Sequence, residues 1–153
     1  MSTPTQRLAE LGLTLPPVAK PLAAYTPAIT VGNQVWVSGQ LPLRDGKLVA
    51  TGRLGDAVEP AEGAEAAKVA ALNALAAVAD QAGGLDNVAR ILKAVVFVAS
   101  TTDFTAQPQV ANGASELLGE VFGIPHVRSA VGVAVLPIDA PVEVELVAEL
   151  AAR

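Results

Sequence analysis

The sequence contains no cysteine, a single histidine and few aromatic residues, which make up 3% of its 153 residues. Without cysteine the chain can form no disulfide bond, no thiolate nucleophile and no cysteine-ligated zinc site. A metal site built on the one histidine, His126, would need carboxylates for its other ligands. Because large aromatic anchors are few, the core must be built from Ala, Val and Leu, which favours further burial of apolar surface against a partner subunit.

Basic residues are also scarce, since ten Lys and Arg stand against 15 Asp and Glu and the formal net charge is −5 at pH 7. A nucleic-acid groove needs a basic face, so we expect no nucleic-acid partner. No uncharged run reaches the ~18 residues of a membrane span, and no secretory leader pattern is present. The sequence therefore predicts a cytoplasmic enzyme or binding protein without a membrane partner.

The length and the local patterns predict one domain over residues 25–153, preceded by a short helix and an extended arm over residues 1–24. In the first part of the chain, the patterns predict a helix that begins after Thr3 or Thr5 and stops at Gly12, and then an arm over residues 13–25. A hairpin over residues 28–41 follows, with its turn at Gly32-Asn33, and a second turn is predicted at Asp45-Gly46. The remaining elements are a helix over residues 62–81, a buried strand over residues 89–100, a helix over residues 108–122, and two strands over residues 127–135 and 142–150.

This order predicts an α+β fold, with one mixed β-sheet and both long helices packed on one of its faces. We expect the last two strands to pair as a hairpin centred near Ile138-Asp139. The other face of the sheet also carries apolar strand residues. We therefore expect other subunits to cover it.

Arg128 begins the first of the last two strands, and its same-side neighbours Ala130, Gly132 and Ala134 are small. Small neighbours leave room for a ligand, and a guanidinium can hold a carboxylate with two parallel hydrogen bonds. The alternative on spacing alone is a structural ion pair. Both roles stay open at this point.

Glu143 lies in the last strand, where glutamates alternate with apolar residues. Its carboxylate could act as a general acid or base or hold a water molecule, and the alternative is a solvent-facing strand residue. In the expected hairpin Glu143 would lie opposite about Ala134, roughly 20 Å from Arg128 at ~3.3 Å per residue. The two side chains could then share a ligand only across a subunit interface.

Four further residues are weaker candidates, each with a plain structural alternative. Tyr25 could hydrogen-bond a ligand or be a packed amphipathic ring. Gly39, in the stretch "SGQ", could allow close approach of a ligand or mark a bend. Asn112, in the stretch "NGAS", could contact a ligand or mark a turn or cap. His126 could be a base or a loop residue. No nucleotide-binding glycine loop, serine elbow or HExxH zinc motif is present.

Three stretches taken together, "YTPAITVGNQVWVSGQLP", "NGASELLGEVFG" and "VRSAVGVAVLPIDAPVEVELVAEL", resemble the Rid family of reactive intermediate deaminases, also called YjgF-like or L-PSP endoribonuclease-like proteins. The resemblance covers roughly residues 25–150. It implies a chorismate mutase-like fold and a homotrimer with ligand clefts between adjacent subunits. It also implies hydrolysis of enamines and imines to ketoacids and ammonia, without metal or cofactor.

Carried over by motif, the resemblance implies that Arg128 binds a substrate carboxylate and that Glu143 positions the attacking water. It also implies a cleft lined by Tyr25, Gly39, Asn112 and Pro137. Two positions after Arg128, where deaminase-competent members often have cysteine, this chain has Ala130. The longer arm and the stretch "TAQPQVA" resemble a longer-chain subgroup. Two alternatives to an imine deaminase remain, a non-catalytic trimer that binds ketoacid-like molecules and an isomerase that would need several converging basic residues.

Overall fold

The computed structural model describes residues 2–18 and 24–152. The helices and strands within these ranges are α1 Pro4–Glu10, β1 Ala28–Val31, β2 Gln34–Gln40, β3 Leu43–Arg44, β4 Lys47–Leu48, α2 Pro60–Ala82, β5 Val88–Ala99, α3 Gln107–Phe122, β6 Val127–Val133 and β7 Val142–Leu150. Two short 3-10 turns, Leu85–Asn87 and Pro137–Asp139, precede β5 and β7. Part of the predicted arm, residues 19–23, lies outside the described residues.

Five strands form one mixed sheet in the order β1-β2-β7-β5-β6. β5 runs parallel to β6 and antiparallel to β7, and β2 pairs antiparallel with both β1 and β7. β3 and β4 form a separate two-stranded hairpin. The turn of that hairpin is Asp45-Gly46, in which both residues have positive φ as a tight hairpin turn requires. The predicted α+β fold, the first hairpin and the second turn at Asp45-Gly46 are confirmed.

The prediction that the last two strands pair as a hairpin is wrong. β5 lies between β6 and β7 and hydrogen-bonds to both. A strand as apolar as β5 is stabilised by a neighbour on each edge, which places it in the interior of the sheet. The connection over residues 134–141 is long enough to pass the width of one strand, so adjacency in the chain did not impose pairing.

The two long helices pack on one face of the sheet and against each other. α2 ends at Gly83 and α3 at Gly123, two glycines with the left-handed conformation that commonly follows a helix. Where α2 and α3 meet, a Cβ on Gly113 would collide with the carbonyl of Ala64. The glycine of the "NGAS" stretch therefore serves close helix packing inside α3 and is neither a turn nor a cap.

The strands alternate between a face covered by α2 and α3, here called the helix face, and an opposite open face. Side chains on the helix face are buried, and they include Val35, Val37, Ala94, Val96, Val98, Val144, Leu146 and Ala148. On the open face, Ile29, Trp36 and Val131 stay between 43% and 50% exposed. Apolar surface of this kind is what a second copy of the chain could bury. The homotrimer itself stays a prediction.

The N-terminal helix α1 packs on α3. Thr3 caps it through a reciprocal pair of hydrogen bonds with Gln6, and Leu8 is buried in the core. The backbone N–H of Thr5 donates to Asp86 Oδ1 at 2.9 Å, which fixes the start of α1 beside the Leu85–Asn87 turn. The short predicted helix is confirmed, and it belongs to the packed body of the protein.

In the part of the chain that the structure describes, none of the helices combines the length and the apolarity needed to cross a bilayer.

Candidate functional site

Arg128, the second residue of β6, places its guanidinium against α3. Its Nη1 donates to Asn112 Oδ1 at 2.7 Å and to Ser115 Oγ at 3.1 Å, and its Nη2 donates to the carbonyl of Pro108 at 3.3 Å. Asn112 and Ser115 lie three residues apart on α3, a spacing that puts both side chains on one face of the helix. Neutral oxygen atoms of a single helix therefore hold the guanidinium in place.

The charge of Arg128 has no carboxylate partner among the described residues, where the one ion pair is Arg44–Glu65 at 3.9 Å. A guanidinium has five N–H donors, and three are used here. Two N–H donors, one of them on Nε, are left for another acceptor, and the oxygens of a carboxylate can bind such donors. The ion pair considered as the alternative role is not formed within the described part of the chain.

Ser115 connects Arg128 to His126. Its Oγ lies 3.0 Å from His126 Nε2. Because this hydroxyl already accepts a hydrogen bond from Arg128, it can donate its own proton to Nε2 of a neutral imidazole. Burial, and after it the positive charge of Arg128, lowers the pKa of His126, which keeps the ring neutral at pH 7.

A surface depression of about 500 Å³ lies between the end of α3 and the start of β6. Its wall consists of Ser115, Gly119, Gly123, Ile124, Pro125, His126 and Arg128. The loop that forms its outer rim is fixed by Arg90, whose Nη2 donates to the carbonyl of Pro125 at 2.9 Å. The guanidinium of Arg128 thus borders a wide, open depression whose volume lies in the range of small-ligand pockets.

Glu143, the second residue of β7, lies on the open face of the sheet, with its side chain over Gly39 of β2. A Cβ at Gly39 would lie 2.6 Å from Glu143 Cδ and 2.9 Å from Cγ, so this conformation of Glu143 requires glycine at position 39. The pairing of β2 with β7 shifts register between Val37 and Gln40, which places Gly39 in a bulge. The close approach predicted at Gly39 is made in this chain by the side chain of Glu143.

Burial raises the pKa of Glu143, and the negative charge of Glu145 raises it further. Glu145 lies two residues along the same strand and therefore on the same face. A carboxyl group with a raised pKa takes up and releases a proton closer to neutral pH. Glu143 has the environment of a general acid or base, whichever molecule it acts on.

Arg128 and Glu143 point to opposite faces of the sheet. Arg128 pairs with Ala94 of β5, whose side chain is buried under the helices, whereas Glu143 pairs with Phe97, three residues along and on the open face. Two strand spacings of ~4.8 Å and three residues of ~3.3 Å put the two Cα atoms about 14 Å apart. The hairpin assumed in the sequence-based estimate does not exist. One chain still cannot bring both side chains to one ligand, because the sheet lies between them.

The remaining predicted residues fall at different places. Asn112 is a direct hydrogen-bond partner of Arg128. Tyr25 lies just before β1 with 52% of its surface exposed. Pro137 is exposed and opens the turn before β7, in which Ile138 and Asp139 both have left-handed backbone conformations. This turn lies at the Glu143 end of the sheet, so the chain separates the Arg128–Asn112 group from the Gly39–Glu143 group.

The sequence interpretation missed the depression and the role of Ser115. Position 115 was noted only as the end of "NGAS", although its spacing from Asn112 is the signal that both side chains share a helix face. Gly119 and Gly123 follow at intervals of four residues, which continues the same face to the end of α3. The loop over residues 123–126 gives no comparable periodic signal.

Acidic side chains and His126 do not combine into a metal site in residues 2–18 and 24–152, where no three such groups come together.

Comparisons with known proteins agree with the fold and cover nearly the whole chain. A family described as "YjgF/chorismate mutase-like, putative endoribonuclease" matches residues 5–150. Protein TCP17 from Trypanosoma cruzi is 44% identical over 146 residues, which cover 94% of this chain and 91% of that protein.

Two solved structures extend the comparison. A protein of unknown function from Agrobacterium tumefaciens has 43% identity and a TM-score of 0.87, covering 96% of this chain and 92% of that one. TdcF from E. coli, solved with bound serine, has 25% identity and a TM-score of 0.64, covering 90% and 94%. The resemblance found in the sequence is confirmed, and the chain belongs to the YjgF/chorismate mutase-like family.

Proposed function

We propose that the protein hydrolyses 2-imino acids, and the enamines that tautomerise to them, to ketoacids and ammonia. The observation that carries this proposal is the state of Arg128, a guanidinium held by neutral oxygens with two N–H donors left unused and no carboxylate partner among the described residues. A fixed cation of this kind in a chain of net charge −5 is suited to bind one small carboxylate and to orient it.

The reaction needs one water molecule and one group that moves protons. The water oxygen forms a bond to C2 of the imine, the C=N electron pair moves to nitrogen, and nitrogen takes up a proton. Nitrogen then takes up a second proton, the C2–N bond breaks so that ammonia leaves with its electron pair, and the hydroxyl group loses its proton to give the ketoacid. Glu143 accepts first the proton of the attacking water and then that of the hydroxyl group, and it passes each of them to nitrogen. Its raised pKa supports this double role.

We further propose that the site forms between two copies of the chain in a homotrimer. Arg128 and Glu143 lie on opposite faces of one sheet, so a ligand on Arg128 can reach a glutamate only from a neighbouring copy. A head-to-tail contact repeated around a threefold axis closes into a ring and gives equivalent sites. The exposed apolar residues of the open face support burial against such a neighbour. TdcF was solved with bound serine, an amino acid that carries a carboxylate. That structure supports a small carboxylate as the ligand.

A binding protein without catalytic activity is the second candidate. Ala130, two residues after Arg128, packs against the core and offers no group that could move a proton. Both candidates use Arg128 in the same way, and they differ in whether Glu143 has a chemical task. The isomerase alternative needs several cations on one ligand, whereas the wall of the depression contributes only the Arg128 guanidinium.

The direct test generates 2-iminopropanoate from alanine with an amino-acid oxidase in the presence of semicarbazide, which captures the imine. An imine hydrolase lowers the captured fraction and raises the rate of ammonia release in proportion to its concentration. A wild-type protein that leaves the captured fraction unchanged for any small imino acid would favour the binding protein.

The shared site has its own test in mixed assemblies. Arg128→Ala and Glu143→Gln should each be inactive alone. When the two variants are unfolded together and refolded at equal amounts, about a quarter of the sites in random trimers combine an intact Arg128 with an intact Glu143. Activity should return to about a quarter of the wild-type value. No return of activity, or a monomer mass in light scattering at micromolar protein, would contradict the shared site.

A further inference from the structure

The depression beside Arg128 has a feature that binding of a carboxylate alone does not require. Apart from Ser115, His126 and Arg128, its wall consists of Gly119, Gly123, Ile124 and Pro125. None of these four has a polar side-chain atom. Ile124 is 37% exposed in the single chain, so its apolar surface is available to a ligand.

The polar side chains of the wall already bond to one another or to α3. Ser115 accepts from Arg128 and lies within hydrogen-bonding distance of His126, whose ring is neutral at pH 7. Two nearby cations use donors on backbone carbonyls, because Arg7 donates to Val121 and Arg90 donates to Pro125, and neither side chain belongs to the wall. Within the wall a second carboxylate would therefore meet one neutral donor, the Nδ1–H of His126, and no cation besides Arg128, so its charge would leave water without a charged partner of its own.

Gly119 determines how deep the depression is. It lies one helical turn after Ser115 on α3, and nothing lies within 4 Å of the place where its Cβ would be. A side chain at this position would extend into open space without a clash. Most residues also favour the interior of a helix more than glycine does. The depression therefore depends on a glycine that the fold does not need for packing.

From these observations we propose that the depression binds the side chain of the ligand whose carboxylate is held by Arg128, and that it selects 2-imino and 2-oxo acids with a branched or otherwise bulky aliphatic side chain. This inference rests on the carboxylate-binding role of Arg128 proposed above. A leucine-derived substrate is preferred to an alanine-derived one, and a dicarboxylic substrate is disfavoured because its second charge meets the glycine, Ile124 and Pro125 surface.

The test measures binding of three stable 2-oxo acids to the full-length protein in its native assembly by calorimetry. Half burial of three additional carbon atoms should make 4-methyl-2-oxopentanoate bind about tenfold more tightly than pyruvate. 2-Oxoglutarate should bind no more tightly than pyruvate. In Gly119→Leu the new side chain occupies the depression, and the preference for 4-methyl-2-oxopentanoate should fall to within about twofold.

Glu116→Leu is the matched control, because it adds the same side chain to an exposed position of α3 that is not part of the wall. It should keep the tenfold preference, and thermal melts should show that both variants are folded. Equal binding of the two monocarboxylates by the wild type, a preference that survives in Gly119→Leu, tighter binding of 2-oxoglutarate, or no binding of any of the three would each overturn the proposal. If the preference is found as described while no imino acid is hydrolysed, the pocket stands and only the proposed hydrolysis is refuted.

Discussion

Replacing Gly39 with alanine tests whether the position of Glu143 is set by the strand beneath it. Gly39 does not have a left-handed backbone, so alanine is compatible with its conformation. Without a steric conflict the substitution should stabilise the protein by about 0.4–1 kcal/mol, because it restricts the unfolded chain. The structure predicts that a steric conflict offsets this gain, since the new Cβ would lie 2.6 Å from Cδ of Glu143.

The carboxyl end of Glu143 can move, so the conflict should cost a rotamer distortion of about 0.5–1.5 kcal/mol and leave the fold intact. In a Glu143→Ala background the conflict is absent, and Gly39→Ala should be stabilising there. The gain from restricting the unfolded chain is the same in both backgrounds and cancels, so a double-mutant cycle should show a coupling energy of about 0.5–1.5 kcal/mol. Urea unfolding of the four proteins gives this number independently of any activity.

The same substitution should lower imine hydrolysis about 100-fold, because a shift of about 1 Å in a positioned group has an effect of that size. Ketoacid binding by Arg128 should change little, since Gly39 lies on the other face of the sheet. If Gly39→Ala stabilises the protein equally in both backgrounds, the contact between Gly39 and Glu143 has no energetic effect and the reasoning is refuted.

Four further predictions follow from the same contacts. Arg128→Ala should weaken binding of ketoacids by about 1.5–3 kcal/mol while the assembly survives, and a variant that unfolds instead would indicate a structural role. Glu143→Gln should lower imine hydrolysis about 10²–10⁴-fold with less than about tenfold change in ketoacid affinity, whereas Glu145→Gln should have a smaller effect, and equal effects would mean that the glutamates act through general charge. The lowered pKa of His126 predicts stability that is complete above its ordinary value of 6.5 and is lost as pH falls through the lowered value. The raised pKa of Glu143 predicts the opposite pH dependence, because its contribution to stability is lost as pH rises through the raised value. In denaturant titrations above that value, Glu143→Gln should therefore gain stability relative to the wild type.

The sequence predicted the elements well because each had a local cause. The hairpin turns carry Gly32 and Gly46 where positive φ is needed, and Gly83 and Gly123 end the long helices in the left-handed conformation. The pairing of β6 and β7 failed for the opposite reason. It depends on β5, which lies far away in the chain and is stabilised between two neighbours, and no local pattern at Ile138-Asp139 contains that information.

In the candidate site, too, some contacts could be predicted from local sequence and others could not. Arg128, Asn112 and Glu143 were found from the motif, and the structure adds which atoms they contact. Ser115 was within reach of sequence reasoning through its spacing from Asn112 on one helix. The contact of Gly39 with Glu143 was not, because it depends on the register of β2 against β7 and on a bulge that shifts it.

The alternation of side chains along a strand explains why one chain holds the two halves of the proposed site apart. Residues two apart share a face, so β6 sends Arg128 and Ala130 toward α3, and β7 sends Glu143 and Glu145 to the open face. Any shift of register by one residue would reverse a face and bury the charges in the core, so this separation is as strongly fixed as the core itself. Within the described residues the charge of Arg128 has no carboxylate partner, and Glu143, whose pKa is raised by burial and by the charge of Glu145, has no cation partner. These complementary deficits on opposite faces are the physical reason to expect that a neighbouring copy completes the site.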